Sequence, residues 1–338
     1  MINLNGSKIL GLDMINDVLL YTGSAELYTG SNGGQIEGIM LIATTAGAKV
    51  FNINSTSGTD FLIINNCLIR NSANVGLIKG FFALVMNHVY YNNNSNGITY
   101  ENIEHLILTD IQWMITNSGT EEKFVGTFEI INKSDGMNEV SLANSATAID
   151  VTGIVSITSK ASLSDVVFTG NGTYVNGTFS KYWFVHSYGI PTESDEVATG
   201  NTYISTATST TIATINTPVK VSGTTSSVNL YRVTSPANNR LMYTGTKTRY
   251  FKASCSLTAF AISNNQVFSF YIAKNGTILP ESKQTFKLTN NTDQNSLTIS
   301  CTVSLATNDY IEVWVANNTS SSDVTIPCLL YTSDAADE

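Results

Sequence analysis

Three segments between residues 61 and 113 repeat one pattern, and that repeat restricts the fold more than any other feature of the chain. FLIINNCLIRN at 61–71 aligns with FALVMNHVYYN at 82–92, with the leading Phe61 and Phe82 standing 21 residues apart. Asn66 matches Asn87 at the same interval, and a third copy, HLILTDIQW at 105–113, sets Asp110 opposite Asn87. Shorter runs at 74–80 and 96–102 lie between the copies, with Gly76 and Gly97 again 21 apart. Short β-rich runs with Asn and Gly corners at such a period predict a solenoid. One rung cannot bury its own apolar edge, whereas stacked rungs bury a continuous core. Asn66, Asn87 and Asp110 are expected at one corner, where side-chain amides stack into a hydrogen-bonded ladder.

Further along, FVGTFEII at 124–131, AIDVTGIVSI at 148–157 and LSDVVF at 163–168 continue the shaft less regularly. The stretches 118–123 and 133–147 are expected to loop out of it, and residues 1–35 to cap a right-handed parallel β-helix over 36–190. From 191 to 216 the composition turns to Thr, Ser, Ala and acidic residues with few large side chains, which predicts a connector or neck. Over 217–327, strands recur at the spacing of an antiparallel β-sandwich, at 229–233, 248–258, 266–273, 296–303 and 310–315. Asn275-Gly276 between two of them is a hairpin signal, because both residues take positive φ readily.

Composition agrees with an all-β chain and removes several function classes. Charged residues make up 13% and hydrophobic ones 42%, and Thr, Ser, Asn and Gly dominate the rest. No long stretch carries apolar residues at helical spacing. A net charge of −9 argues against nucleic acid as a partner, since phosphate binding calls for a basic face. No span approaches the roughly 18 apolar residues of a membrane helix, so membrane insertion is not expected. The N-terminus lacks the basic start and apolar core of a signal peptide. Cys67, Cys255 and Cys301 form neither a disulfide framework nor a pair at metal-ligand spacing. They read as small buried hydrophobes, and no cofactor or metal is expected. The final CLLYTSDAADE at 328–338 looks like a translated sequencing adapter, which implies a metagenomic source. It is expected to break off the alternation at 323–326 as a foreign tail.

The second half resembles the jelly-roll heads of phage fibres, which are similar to trimeric domains of the tumour-necrosis-factor and complement type. NTPVKV at 216–221, LMYTGTKTRY at 241–250, FYIAKNGTI at 270–278 and NDYIEVWV at 308–315 carry the resemblance. The first half resembles, in pattern alone, the pectate-lyase-like shafts of viral tail spikes. The resemblance implies a parallel β-helix followed by a jelly-roll head and a homotrimer. It also implies a location on the virion, assembled in the host cytoplasm and displayed outside it, with other virion proteins as partners. The function expected is attachment to a host-surface polysaccharide or receptor. A polysaccharide depolymerase and a bacterial surface adhesin are the alternatives.

For a depolymerase, Glu101, Glu104 and Asp110 are the best local acid cluster, with Asp60, Glu121 and Glu122 as further candidates. Glycoside hydrolysis needs two carboxyls roughly 5–9.5 Å apart, and adjacent rungs at about 4.8 Å can supply that. Solvated turns and a corner ladder explain the same residues without catalysis. His88, His105 and His186 stand beside no recognisable nucleophile motif, and His88 reads as a packed side chain. Tyr90, Tyr91, Tyr100 and Trp113 fall on successive rungs and are candidates for stacking on sugar faces, although aromatic rings also fill β-helix interiors. Tyr250, Phe251, Phe268, Phe270, Tyr271 and Trp314 read as sandwich core or trimer axis.

Overall fold

Strand alternation carries the first unit. In Phe61–Arg70, Leu62, Ile64, Cys67 and Ile69 are buried while Ile63 and Asn65 face outward. Ala83–Asn92 and His105–Trp113 repeat the arrangement. The computed structural model describes residues 1–192 and 198–335. It divides the chain into two units, Met1–Glu193 and Ser194–Glu338.

In the first unit sixteen strands pair in parallel as a β-solenoid. Leu84 lies beside Leu62 on one side and Leu106 on the other, and Met86 beside Ile64 and Leu108. Tyr28, Phe51, Ile78, Tyr100 and Phe124 join the same sealed column. Residues 1–35, expected as a cap, already take part in the winding: Ile2–Asn3 pairs with Glu26–Gly30, and Lys8–Leu10 with Gly34–Glu37. The stretches 118–123 and 133–147, expected as loops, lie largely within Thr120–Val140. That strand pairs with His105–Trp113 before it and Thr147–Gly170 after it.

The register differs from the sequence reading by one residue. Ala83 pairs with Phe61 and His105 with Ala83, so the spatial repeat is 22 residues (61 to 83, 83 to 105) rather than 21. The corner file is therefore Asn66, His88, Asp110, Asp135 and Asp165, all with φ between 49° and 59°. Asn, Asp and His are the side chains that best tolerate this left-handed turn. Gly136 follows Asp135, and a Cβ there would stand 2.3 Å from the Ile111 carbonyl oxygen. Asn87 is not at the corner but on the outer face of its strand, beside Asn65 and Thr109.

The hydrogen-bonded amide ladder lies at a different corner. Asn94 Nδ2 donates to Asn117 Oδ1 and to the Ile69 carbonyl, both at 3.0 Å, and Asn94 Oδ1 accepts the Ser72 amide at 3.1 Å. Asn117 Nδ2 donates to the Tyr91 carbonyl at 2.9 Å. Both amides are buried, so each replaces water for backbone groups that leave the sheet.

The second unit is an antiparallel sandwich of two sheets with jelly-roll character. One sheet runs Gly223–Tyr231, Thr199–Ala207, Val324–Ala335, Arg249–Ala261, Asn295–Leu305. The other is built on Leu241–Tyr243, Tyr310–Asn317 and Gln266–Lys274. Phe251, Cys255, Phe268, Phe270, Ile299 and Val313 fill the space between them. Asn275 and Gly276 take φ of 50° and 76° in the expected hairpin. Thr199–Ala207, inside the expected neck, is a sandwich strand; 193–197 of that neck lie outside the described residues. The segment from 328, expected to break the alternation, instead continues it: Leu329, Tyr331 and Ser333 point inward from a strand paired on both sides. All four cysteines are free.

Candidate functional site

The acids singled out in sequence differ in their surroundings. Glu101 ends the Ile98–Glu101 strand and pairs with Lys79 Nζ of the neighbouring rung at 2.5 Å. Asp110 sits at the left-handed corner, 2.9 Å from His88 Nδ1, and accepts Gln112 Nε2 at 2.9 Å. Glu104 is exposed at the turn before His105–Trp113. Asp60 accepts the Ser55 hydroxyl at 2.7 Å. Glu121 and Glu122 are sealed inside the solenoid, where no polymer reaches them.

The carboxylate that does approach Glu104 is Glu129, from the next rung. The amides of Glu129 and Ile130 both donate to the Glu104 carbonyl at 2.9 Å, which ties the two turns together. Side-chain ligand atoms of Glu104, His105 and Glu129 all lie within 4.8 Å of one another. His105 Nε2 stands 3.5 Å from Glu129 Oε2. A cleft of about 320 Å³ opens beside them, lined by Phe81, Asn102, Glu104, Thr127, Glu129 and Thr158. Sequence spacing missed Glu129 because the rung between His105 and Ile130 is 25 residues, longer than the two before it. His105 stands beside no nucleophile or metal-binding motif, so the residues around it carry no signal for a ligand.

The aromatic candidates are mostly interior. Tyr91, Tyr100 and Trp113 have no exposed surface. Tyr91 and Trp113 stack at 3.7 Å with an interplanar angle of 2°, and Tyr100 donates to Glu122 Oε1 at 3.4 Å. A sugar cannot reach these three, which leaves Tyr90 on the outer surface, half-buried beside His88. In the head, Phe251, Phe268 and Phe270 are core, whereas Tyr250 is 61% exposed.

A different outer face carries the rings and apolar side chains that meet solvent. Phe61, Phe82 and His105 form a file with ring centroids 5.2 and 4.8 Å apart. Next to it runs Gln35, Ile63, Val85, Ile107, Asn132, all part-exposed and in register. Two residues further along the strands lie Asn65, Asn87, Thr109, Ser134 and Ser164. The result is a surface on which a largely apolar stripe borders an amide and hydroxyl stripe, with Glu37 beside Asn65 and Lys8 beside Gln35 at its N-terminal end. Strand alternation encodes it, but the 21-residue alignment placed Asn87 at the corner instead.

No protein-family model matches the chain, and no curated protein matches it. Among solved structures, the Eiger tumour-necrosis-factor protein of S. frugiperda is similar over 42% of this chain and 95% of its own, at 12% identity and a TM-score of 0.28. The C-terminal CBM6 module of LamC from Zobellia galactanivorans aligns with 37% of this chain and 98% of its own, at 14% identity and a TM-score of 0.18. The enzymatically active domain of bacteriophage CBA120 tailspike protein 4 aligns with 96% of this chain and 65% of its own, at 10% identity and a TM-score of 0.20. Likeness this distant leaves the functional reading to the residues themselves.

Proposed function

We propose that this chain is an attachment protein of the viral spike or fibre kind, engaging an extended, uncharged surface polysaccharide along the outer face of the solenoid. The observation that carries the reading is the paired striping of that face. Pyranose rings offer an apolar face to Phe61, Phe82, Ile63 and Val85, and hydroxyl edges to Asn65, Asn87 and Thr109. Strands spaced about 4.8 Å apart repeat these contacts along a polymer, so weak single contacts add through multivalency. Assembly as a homotrimer on the virion belongs to the same reading, and light scattering should then return three times the 36.4 kDa chain.

The test is retention on immobilised polysaccharides from a panel of bacterial capsules. Phe61→Ala with Val85→Lys, both on the outer face, should weaken binding at least tenfold while leaving the circular dichroism unchanged. Binding that survives the double variant, or a failure of the parent protein to bind any of the panel, overturns the reading.

Hydrolysis has one observation in its favour, the approach of Glu104 to Glu129 within 4.8 Å, near the roughly 5–5.5 Å of retaining glycosidases. Such sites place their two carboxyls in different environments so that one serves as acid and the other as nucleophile. Here the Glu104 residue is exposed and the Glu129 side chain keeps 42% of its surface, so the two environments are alike. Binding without turnover is the expected outcome.

A further inference from the structure

We propose that Glu104, His105 and Glu129 form a binding site for a divalent cation of the zinc or manganese class. Three observations converge on it. His105 Nε2 and Glu129 Oε2 stand 3.5 Å apart, an ion-pair separation longer than a well-formed hydrogen bond of about 2.7–3.2 Å. It is close to the roughly 3.4 Å between two ligands that each lie about 2.0–2.2 Å from one tetrahedral ion. The two carboxylates also stand together without a lysine or arginine partner among the described residues. Other glutamates engaged in ion pairs have one: Glu101 has Lys79, Glu122 has Lys133, and Glu312 has Lys220 and Arg240. Finally, the adjoining cleft lined by Asn102, Thr127 and Thr158 leaves room for water to complete the coordination shell.

The scaffold is fixed on both sides. His105 packs its ring against Phe82 at 4.8 Å, and the Glu104 carbonyl holds the backbone of the Glu129 rung. A mixed imidazole and carboxylate set suits zinc or manganese, whereas calcium and magnesium prefer all-oxygen shells. The ligands come from two rungs and follow no metal-binding motif, so the site is not legible from spacing alone. The site adjoins the face proposed for polysaccharide through the Phe82 ring, but its ligation is read with the metal alone. A bound ion would staple two neighbouring turns of the shaft.

Calorimetric titration of the full chain, stripped with a chelator, should show saturable uptake of one zinc ion per chain, with calcium bound at least tenfold more weakly. His105→Ala and Glu129→Gln should each weaken zinc at least tenfold. His186→Ala, which changes an exposed histidine on a later rung, should leave binding unchanged. Glu129→Gln is nearly isosteric, so its circular dichroism and melting separate lost ligation from lost fold. Absence of saturable zinc uptake, zinc binding that persists in Glu129→Gln, or equal affinity for calcium overturns the assignment.

Discussion

Glu121, Glu122, Lys133 and Asn138 are all buried in one rung, at positions where the adjoining rungs carry residues such as Ile98, Leu108, Trp113, Leu163 and Phe168. Lys133 Nζ meets Glu122 Oε2 at 2.7 Å, so that pair neutralises itself inside the column. Glu121 has no second cation among the described residues. Asn138 Nδ2 donates to its Oε2 at 2.8 Å, while Glu121 Oε1 and Asn138 Oδ1 lack a partner among the described residues. A proton on Glu121 removes the charge that burial penalises. Burial pushes the Glu121 carboxyl up to about 8, with the Asn138 bond and Lys133 opposing and Glu122 adding to the rise. The folded chain thus keeps this proton to about pH 8, whereas the unfolded chain releases it near 4.5. Between those values the unfolded state binds fewer protons, so stability falls as pH rises, by up to about 1.4 kcal/mol per pH unit. Below the window both states are protonated, and above it both are ionised. Glu121→Gln should therefore leave the solenoid's melting temperature nearly unchanged at pH 4 and raise it at pH 8. A parallel pH dependence in parent and variant would mean that Glu121 does not hold the proton.

Most strands could be read from alternation, because period two depends only on which side chains seek the core. Register could not. Phe61 and Phe82 are similar side chains in similar runs, yet the pairing partner of Phe61 is Ala83, and a one-residue slip inverts every face. That slip put Asn87 at a corner held by His88. The strand over 120–140 was legible only at 124–131 for another reason: Lys133, Asp135 and Asn138 look like loop residues until their interior and corner partners are in place. The proposed cation site was hidden for the same cause, since its partners belong to rungs whose spacing had lengthened. At 328–338 the resemblance to adapter sequence concerns origin, whereas folding responds to the alternation of Leu329, Tyr331 and Ser333. Val324–Ala335 lies between Thr199–Ala207 and Arg249–Ala261, and Tyr331 reaches across to the Ile311 carbonyl at 2.9 Å. Ending the chain at Pro327 would open the sheet and expose the core on both sides of that slot. The loss should exceed the roughly 5–15 kcal/mol that holds a domain of this size together. The truncated head should lose its cooperative thermal transition. A head that melts as before would show the segment to be a dispensable tail.

At the scale of the molecule, two cores divide the chain. The aliphatic column of the solenoid and the interior of the sandwich form separate buried clusters. Cooperativity follows shared packing, and contacts in a solenoid run only between neighbouring rungs, so the two cores should unfold in separate transitions. Leu84 and Phe270, both fully buried, report on one core each. Deleting either side chain leaves a cavity costing about 2–5 kcal/mol, which for units of this length shifts a melting temperature by roughly 5–15 °C. In scanning calorimetry, Leu84→Ala should lower one transition and Phe270→Ala the other. The unaffected transition in each case serves as an internal control for concentration and pH. If both substitutions move the same transition, the shaft and head fold as one cooperative body, and the independence of their cores is wrong. If Leu84→Ala instead broadens its transition, the shaft is losing cooperativity between rungs, a failure open to a solenoid but not to the sandwich, whose strands share one two-sheet core.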